Sequence, residues 1–361
     1  MSDANELISF IASMSGEGNL RVEENLGEGY VRLRVSEAER RQAKHDIQHV
    51  EDIVIEMLRN ARDAGADKVY LATTKEDGVR TLVFLDNGSG VPQDMQERIF
   101  DARVTSKLES MKMDRWGVHG RGMALFSIKQ NTDEARVVAS DVDLGSVFKV
   151  SVATDRLGER ADQSSWPQAV KDEDGHYVCA RGPHNIIRAA CEFALEELRA
   201  CDVYLGSPSE IAATLHVQAS SRLDASRLLF IDDEAELPVV DRLGLASDAE
   251  DFIRICSGLG LEMSERTAHR ILAGQIKPVR GVTARLLRER DSSSHASAPV
   301  DLAKDRRGLR IAKDDMAQFS RAVERDFNDL ASRYYLNLCG DPKIRVSRDR
   351  ITVTFDLAKE E

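Results

Sequence analysis

A chain of 361 residues, 42% apolar and 31% charged, has the material for two or three domains, each with its own core. Its 62 acidic residues outweigh 50 basic ones, and a formal charge of −12 argues against a general polyanion-binding surface while leaving room for a local basic patch. No apolar stretch is long enough to cross a membrane, and no basic region precedes an apolar core at the N-terminus. The five cysteines (Cys179, Cys191, Cys201, Cys256 and Cys339) show no paired metal spacing, so the expected setting is the reducing cytoplasm.

In chain order, Leu20 to Val35 reads as two short strands around Gly27-Glu28-Gly29. Ser36-Glu37-Ala38-Glu39 is a capping box, and the spacing predicts one long helix from there through Glu56 and Asn60 to the turn Asp63-Ala64-Gly65-Ala66. Glu56 and Asn60 lie four apart and share a face, next to the apolar positions Ile53, Met57, Ala61 and Ala64. A carboxylate and an amide so placed suit metal-assisted phosphate hydrolysis. Asn60 would be a hard oxygen ligand to Mg²⁺, whose octahedron is otherwise filled by phosphates and waters, and Glu56 would orient and deprotonate the attacking water. The plainer alternative is an amphipathic helix with a solvated Glu and Asn.

Lys68 to Thr73 and Thr81 to Leu85 read as strands. The second ends at Asp86-Asn87-Gly88-Ser89-Gly90, where glycine lets backbone approach a flat ligand and Asp86 could accept a hydrogen bond from an adenine amine. An ordinary Asp-Asn-Gly turn is the other reading. Phe100 to Trp116, with Thr105-Ser106-Lys107, suits a mobile lid from which Lys107 could reach terminal phosphates, although a solvated loop lysine fits as well. Gly117-Val118-His119-Gly120-Arg121-Gly122 then opens the apolar helix Met123 to Ile128. Unpaired N–H groups and the helix dipole attract phosphate at such a start, and Arg121 could add charge. Ala135 to Ala139 and Val147 to Val152 are further strands, the second preceded by Gly145-Ser146.

Taken together, these motifs resemble those of the GHKL ATPases: DNA gyrase B subunits, ninety-kilodalton heat-shock chaperones, histidine kinases and MutL. The resemblance covers about residues 20 to 155. Glu56, Asn60, Asp63-Ala64-Gly65-Ala66 and Thr105-Ser106-Lys107 are similar to MutL, whereas Gly117 to Gly122 is closer to the gyrase lid. The resemblance implies Glu56 as general base, Asn60 as magnesium ligand, and Asp86, Gly88 and Gly90 around adenine. It also implies Gly117, Gly120 and Gly122 around the phosphates, and Ser146 at adenine in place of the usual threonine. The implied fold is α+β: a GHKL (Bergerat-type) sandwich of a mixed β-sheet and a helical layer, followed by smaller α/β and mostly helical regions.

The expected organisation is a nucleotide-binding domain at 1–158 with its lid at about 100–122, a small α/β region at 176–238, and a mostly helical region at 239–361 ending in a pair of strands. Arg160 to Gly175 and Asp291 to Pro299 read as connections. Asp251 to Leu259, a Gly260 turn and Ser264 to Leu272 resemble a helix-turn-helix presenting Arg266, Thr267 and Arg270. Residues 262 to 290 hold seven Lys or Arg against three Glu, so DNA contact stands as a minor alternative to a basic outer face. In gyrase and MutL the domain after the ATP site contributes a lysine to the γ-phosphate, and Gln275-Ile276-Lys277 resembles such a loop in outline, with a surface lysine the plainer reading. Asp314 to Leu338 reads as a helix, followed by strands Lys343 to Val346 and Ile351 to Phe355.

His45 and His49 lie too close to Asn60 for the separate phosphoacceptor hairpin of a histidine kinase. The expected activity is therefore that of a Mg²⁺-dependent ATPase in which ATP binding closes a lid and drives conformational change or homodimerisation, on behalf of an unidentified client. A non-hydrolytic nucleotide switch, or a protein kinase acting in trans, are the alternatives.

Overall fold

The computed structural model describes residues 22–106, 112–114, 116–119, 122–160, 162–223, 231 and 233–287. Towards the C-terminus it describes 316, 319–320, 323–324, 327, 336–338, 342–346 and 351–359. Two compact units divide the chain, Met1–Asp291 and Ser292–Glu361.

The first unit begins with the expected hairpin, β1 (Val22–Gly27) and β2 (Tyr30–Leu33). Its turn takes positive φ at Gly27, Glu28 and Gly29, which is why two glycines flank the glutamate. Ser36 caps α1 (Glu37–Asp46) through the capping box with Glu39. The helix then stops. Ile47 is extended and buried, and the Asp52 carboxylate accepts the backbone N–H groups of Gln48 (2.9 Å) and His49 (2.8 Å), starting a second helix, α2 (Val50–Asp63). The single long helix read from the sequence is thus two, and His45 and His49 do not share a helix with Asn60.

The centre of the unit is a five-stranded sheet of β3 (Lys68–Glu76), β4 (Val79–Asp86), β8 (Glu134–Ser140), β9 (Ser146–Ala153) and β12 (Asp202–Gly206), in the order β12-β3-β4-β9-β8. β12 runs parallel to β3 and the other pairs are antiparallel, so the sheet is mixed as expected. The α+β sandwich follows from this sheet and the helices α2, α3 (Ala124–Asn131) and α4 (Ile186–Glu196). Smaller pieces complete the strand set: β5 (Val104–Thr105), which pairs with β2, the hairpin of β6 (Lys112–Asp114) and β7 (Gly117–His119), and the hairpin of β10 (Gln168–Lys171) and β11 (Tyr177–Arg181).

Strand alternation sends side chains to two different cores. Val69, Leu71, Leu82, Phe84, Phe148 and Val150 pack in one cluster with Ile53, Leu58 and Phe193 from α2 and α4. Tyr70, Ala72, Val83, Leu85 and Val147 face the opposite way, into a cluster with α5 (Pro208–Arg222), α6 (Ala249–Gly258) and α7 (Glu265–Leu272). Both faces are covered, which explains the unbroken apolar run Leu82-Val83-Phe84-Leu85. Each such side chain contributes about 1.5–3 kcal/mol by leaving water.

Residues 176–238 are therefore part of this unit rather than a region beside it: β12 is the sheet's edge strand, α4 lies in the same core as α2, and α5 covers the far face. The stretch 160–175 is also built in, as a loop followed by β10 and the turn into β11. Glu51 accepts the N–H of Arg160 (3.1 Å) and the amide of Gln163, and the fully buried Asn185 donates to Asp162 O (2.7 Å) and Ser165 O (2.9 Å). The connection expected at Asp291 to Pro299 lies outside the described residues.

In the second unit β13 (Leu336–Leu338) pairs with β16 (Leu357–Lys359), and β14 (Lys343–Val346) with β15 (Ile351–Thr354), matching the expected strand pair. Leu336–Leu338 is strand, so the helix expected to reach Leu338 ends before it. The Phe327 and Phe355 rings stack 4.0 Å apart.

Candidate functional site

A cavity of about 550 Å³ opens on the α2 face of the sheet. Its floor is β4 and β9, with Phe84, Asp86, Ser146 and Phe148; one wall is α2, with Glu56 and Asn60. Ser89, Gly90 and Val91 close one end, and Val104 to Ser106, Trp116 and Gly122 to Leu125 line the rest. Six of the residues singled out from sequence therefore meet here: Glu56, Asn60, Asp86, Gly90, Gly122 and Ser146.

Sheet register explains two of them. Asp86 pairs with Ser146 across β4 and β9, and both side chains are buried on the face that carries Phe84 and Phe148. Asp86 Oδ1 accepts the Gly88 N–H at 2.8 Å, and Ser146 Oγ lies 3.2 Å from the Ser140 hydroxyl. The glycines are required by chain-on-chain contact. A Cβ at Gly90 would stand 1.8 Å from Asp141 O at φ +70°, and one at Gly88 would stand 2.8 Å from Ala64 O. Gly88 does not line the cavity itself; it seats the turn against the end of α2 and orients Asp86.

On α2, the Asn60 amide nitrogen is buried and has no hydrogen-bond partner in the protein. Such an amide is costly unless something else meets it, and the two ends of an Asn amide are assigned from their surroundings. A phosphate oxygen or a metal-bound water in the cavity would accept from that N–H₂ group, and with the amide turned its oxygen would be a ligand for Mg²⁺, so the residues fit that group. Among the described residues no cluster of three His, Cys, Asp or Glu could hold a metal, and Mg²⁺ bound through phosphates needs none.

Residues 47–140 match the family model described as "Histidine kinase-, DNA gyrase B-, and HSP90-like ATPase". This segment is a GHKL domain. The chain is also similar to the DNA mismatch repair protein MutL of Staphylococcus aureus strains Newman, JH1 and Mu3, at 28% identity over 136 residues in each case. That similarity spans 35% of this chain and only 20% of the MutL length.

The GHKL segment places α3 with its first turn, Ala124 and Leu125, on the cavity. Met123 gives that turn no side-chain cap. Gly122, at φ +66°, crosses so close to β5 that a Cβ would lie 3.0 Å from Val104 O, and its carbonyl accepts the Arg103 N–H at 2.8 Å. Gly117 begins β7, while Lys107, Gly120 and Arg121 lie outside the described residues.

Sequence reading passed over the charges that surround Glu56. Arg59, buried, donates from Nη1 to Glu56 Oε1 at 2.6 Å, and from Nε and Nη2 to Asp114 at 2.9 and 2.8 Å. Arg62 donates to Asp114 (3.2 Å), Asp63 (3.0 Å) and Glu197 (3.1 Å). Burial opposes the Arg62 charge, but Asp63, Glu197 and Asp114 more than offset it and push its pKa up. The i, i+3 spacing of Glu56, Arg59 and Arg62 was the available signal. Tyr30, Gln42 and Asp46 also line the cavity from the segment that precedes the family match, and the Tyr30 hydroxyl is pushed up by burial.

Lys277 stands elsewhere. Its neighbours Ile276 and Val279 pack on the α5–α7 face, so the 275–277 loop lies on the opposite side of the sheet from the GHKL cavity. The helix pair α6 and α7 forms as expected, with Arg266 and Arg270 exposed. Thr267 is half-buried, and its N–H and hydroxyl both engage the Ser264 cap, so it is not presented outward.

Proposed function

We propose that this protein binds ATP with Mg²⁺ in the α2-face cavity and hydrolyses it, with Glu56 as the general base. The observation that carries this reading is the convergence of Glu56, Asn60 with its partnerless amide nitrogen, and the Asp86–Ser146 pair on one cavity built largely from the GHKL segment. Bound Mg²⁺ would supply charge neutralisation at the β- and γ-phosphates.

The remaining roles belong to the chain's own residues. Phe84 and Phe148 offer an apolar bed to the base, and Asp86, fixed by the Gly88 N–H, accepts the adenine amine. Ser146 assists beside it. Asn60 turns its amide oxygen to the metal, and the first turn of α3 with Gly122 receives the phosphates through backbone N–H groups. Lys107, Gly117, Gly120 and Arg121 complete the phosphate side when residues 100–122 close. Glu56 takes a proton from the attacking water. Closure is proposed to drive homodimerisation or a rearrangement felt by a client in the cytoplasm; DNA remains a candidate client because the MutL relatives are named for DNA mismatch repair.

The test measures Mg²⁺-dependent phosphate release and nucleotide affinity for wild type, Glu56→Ala and Asp86→Asn. Wild type turns over, Glu56→Ala binds without turnover, and Asp86→Asn loses adenine-nucleotide affinity. Absence of binding by wild type to both ATP and ADP sinks the reading. Binding without turnover in wild type replaces it with a nucleotide-sensing switch, and transfer of phosphate to a protein side chain replaces it with a kinase.

A further inference from the structure

Arg59 joins two carboxylates that come from distant parts of the chain. Its guanidinium is a rigid plane with five N–H donors in fixed directions. One edge, Nε and Nη2, forms a two-point fork on Asp114 at the end of β6. The remaining corner, Nη1, meets Glu56 at 2.6 Å. A two-point fork sets the orientation of the plane, so it also sets where Nη1 points and where the Glu56 carboxylate rests.

Asp114 is itself anchored. It accepts the Trp116 N–H at 3.0 Å and a third guanidinium contact from Arg62, and the Trp116 ring stacks with Phe193 of α4. The Arg59 and Asp114 side chains are 3% and 6% exposed, so this contact is shielded from water and from salt. Glu56, at 21%, is the most exposed of the three, and it lines the cavity together with Arg59.

We propose that Arg59 is the positioning residue for Glu56, and that Asp114 sets Arg59, so that docking of β6 against α2 determines whether the base is aligned. The inference rests on the assignment of Glu56 as base. It adds that β6, through Asp114, acts on the reaction by a carboxylate–guanidinium–carboxylate relay. Arg59 lines the cavity but commits Nε and Nη2 to Asp114 and Nη1 to Glu56, so its loss acts chiefly on turnover.

The experiment compares wild type, Asp114→Asn, Arg59→Lys and the double variant Arg59→Met/Asp114→Leu, which removes both buried charges and keeps the volume. Each is checked for folding, ATP affinity and single-turnover hydrolysis, and the Glu56 carboxyl ¹³C resonance is assigned by its loss in Glu56→Gln. Misplaced by an ångström, a base loses up to about a hundredfold, so turnover falls about tenfold to a hundredfold in Asp114→Asn and the double variant. ATP affinity stays within about threefold, a shift of under 1 kcal/mol. Arg59→Lys keeps the charge but not the fork, and recovers only part of the rate. The Glu56 resonance moves in Asp114→Asn although the two carboxylates do not touch. Unchanged or faster turnover in both variants overturns the proposal, as does a loss that lies wholly in affinity. If wild type proves not to hydrolyse ATP, the assignment of the base falls separately, and an unmoved Glu56 resonance in Asp114→Asn then overturns the relay while a moved one upholds it.

Discussion

Gly90 shows how little freedom single positions in the cavity have. Its backbone is left-handed and its missing Cβ leaves room for the Asp141 carbonyl. Gly90→Ala meets both a strained φ and a backbone atom that cannot swing away, so it should cost about 1–3 kcal/mol or more, read as a lower urea midpoint. Asp162 presents the opposite case, an exposed residue with a shifted proton. Hydrogen bonds from Ser165 and Ser164 hold its carboxyl down at about 2, against an ordinary value of 3.8. Its folded pKa is depressed, so its contribution is fully present above about pH 4 and is lost as pH falls towards 2. A carboxyl ¹³C titration gives the midpoint, and Asp162→Ala should flatten the acid limb of the melting-temperature profile over that interval only. The meeting of Glu56, Asn60 and Asp86 at one cavity was legible in the sequence because each sits in a short local motif. Arg59 and Asp114 were not, because their meaning lies in a contact 55 residues apart.

Among elements, the α1–α2 junction and the N-terminus of α4 hold the most consequence. Asp52 makes the junction by accepting two backbone N–H groups, and Asp52→Ala should cost about 1 kcal/mol, seen in chemical denaturation. Asn185 caps α4, taking the Arg188 N–H at 2.8 Å, and also pins the 162–165 loop while fully buried. Asn185→Ala loses a cap and two hydrogen bonds to the 162–165 loop, so its cost should be larger, about 2–3 kcal/mol, with faster proteolysis at 160–167. Strand and hairpin positions were readable from apolar runs and glycine punctuation. The break at Ile47 was not: capping by a residue three positions into the next helix looks, in sequence, like one more polar position on a continuing helix.

At the scale of the whole molecule, the unit boundary at Asp291 makes a direct claim about truncation. A chain ending there should fold and keep the nucleotide affinity of the full protein. A chain ending at 158 leaves the β3 edge unpaired and the far face of the sheet, with Tyr70, Val83 and Leu85, open to water; it should melt without cooperativity or aggregate. Circular dichroism melts of the two truncations decide this. The sequence pointed to a boundary near 158 because the family motifs stop there, and motif content is blind to a parallel strand pair formed across a long crossover.

That parallel pairing has a consequence for how the protein is made. Strand β3 leaves the ribosome long before β12, its neighbour in the sheet. At 5–20 residues per second, the sheet waits on the order of ten seconds for its edge, and longer for the helices that cover its far face. The cavity faces the other way, and all the described residues that line it have been synthesised by then. If the proposed binding holds, nucleotide on the nascent chain would therefore stabilise an incomplete sheet, making ATP a ligand of folding as well as of the finished protein.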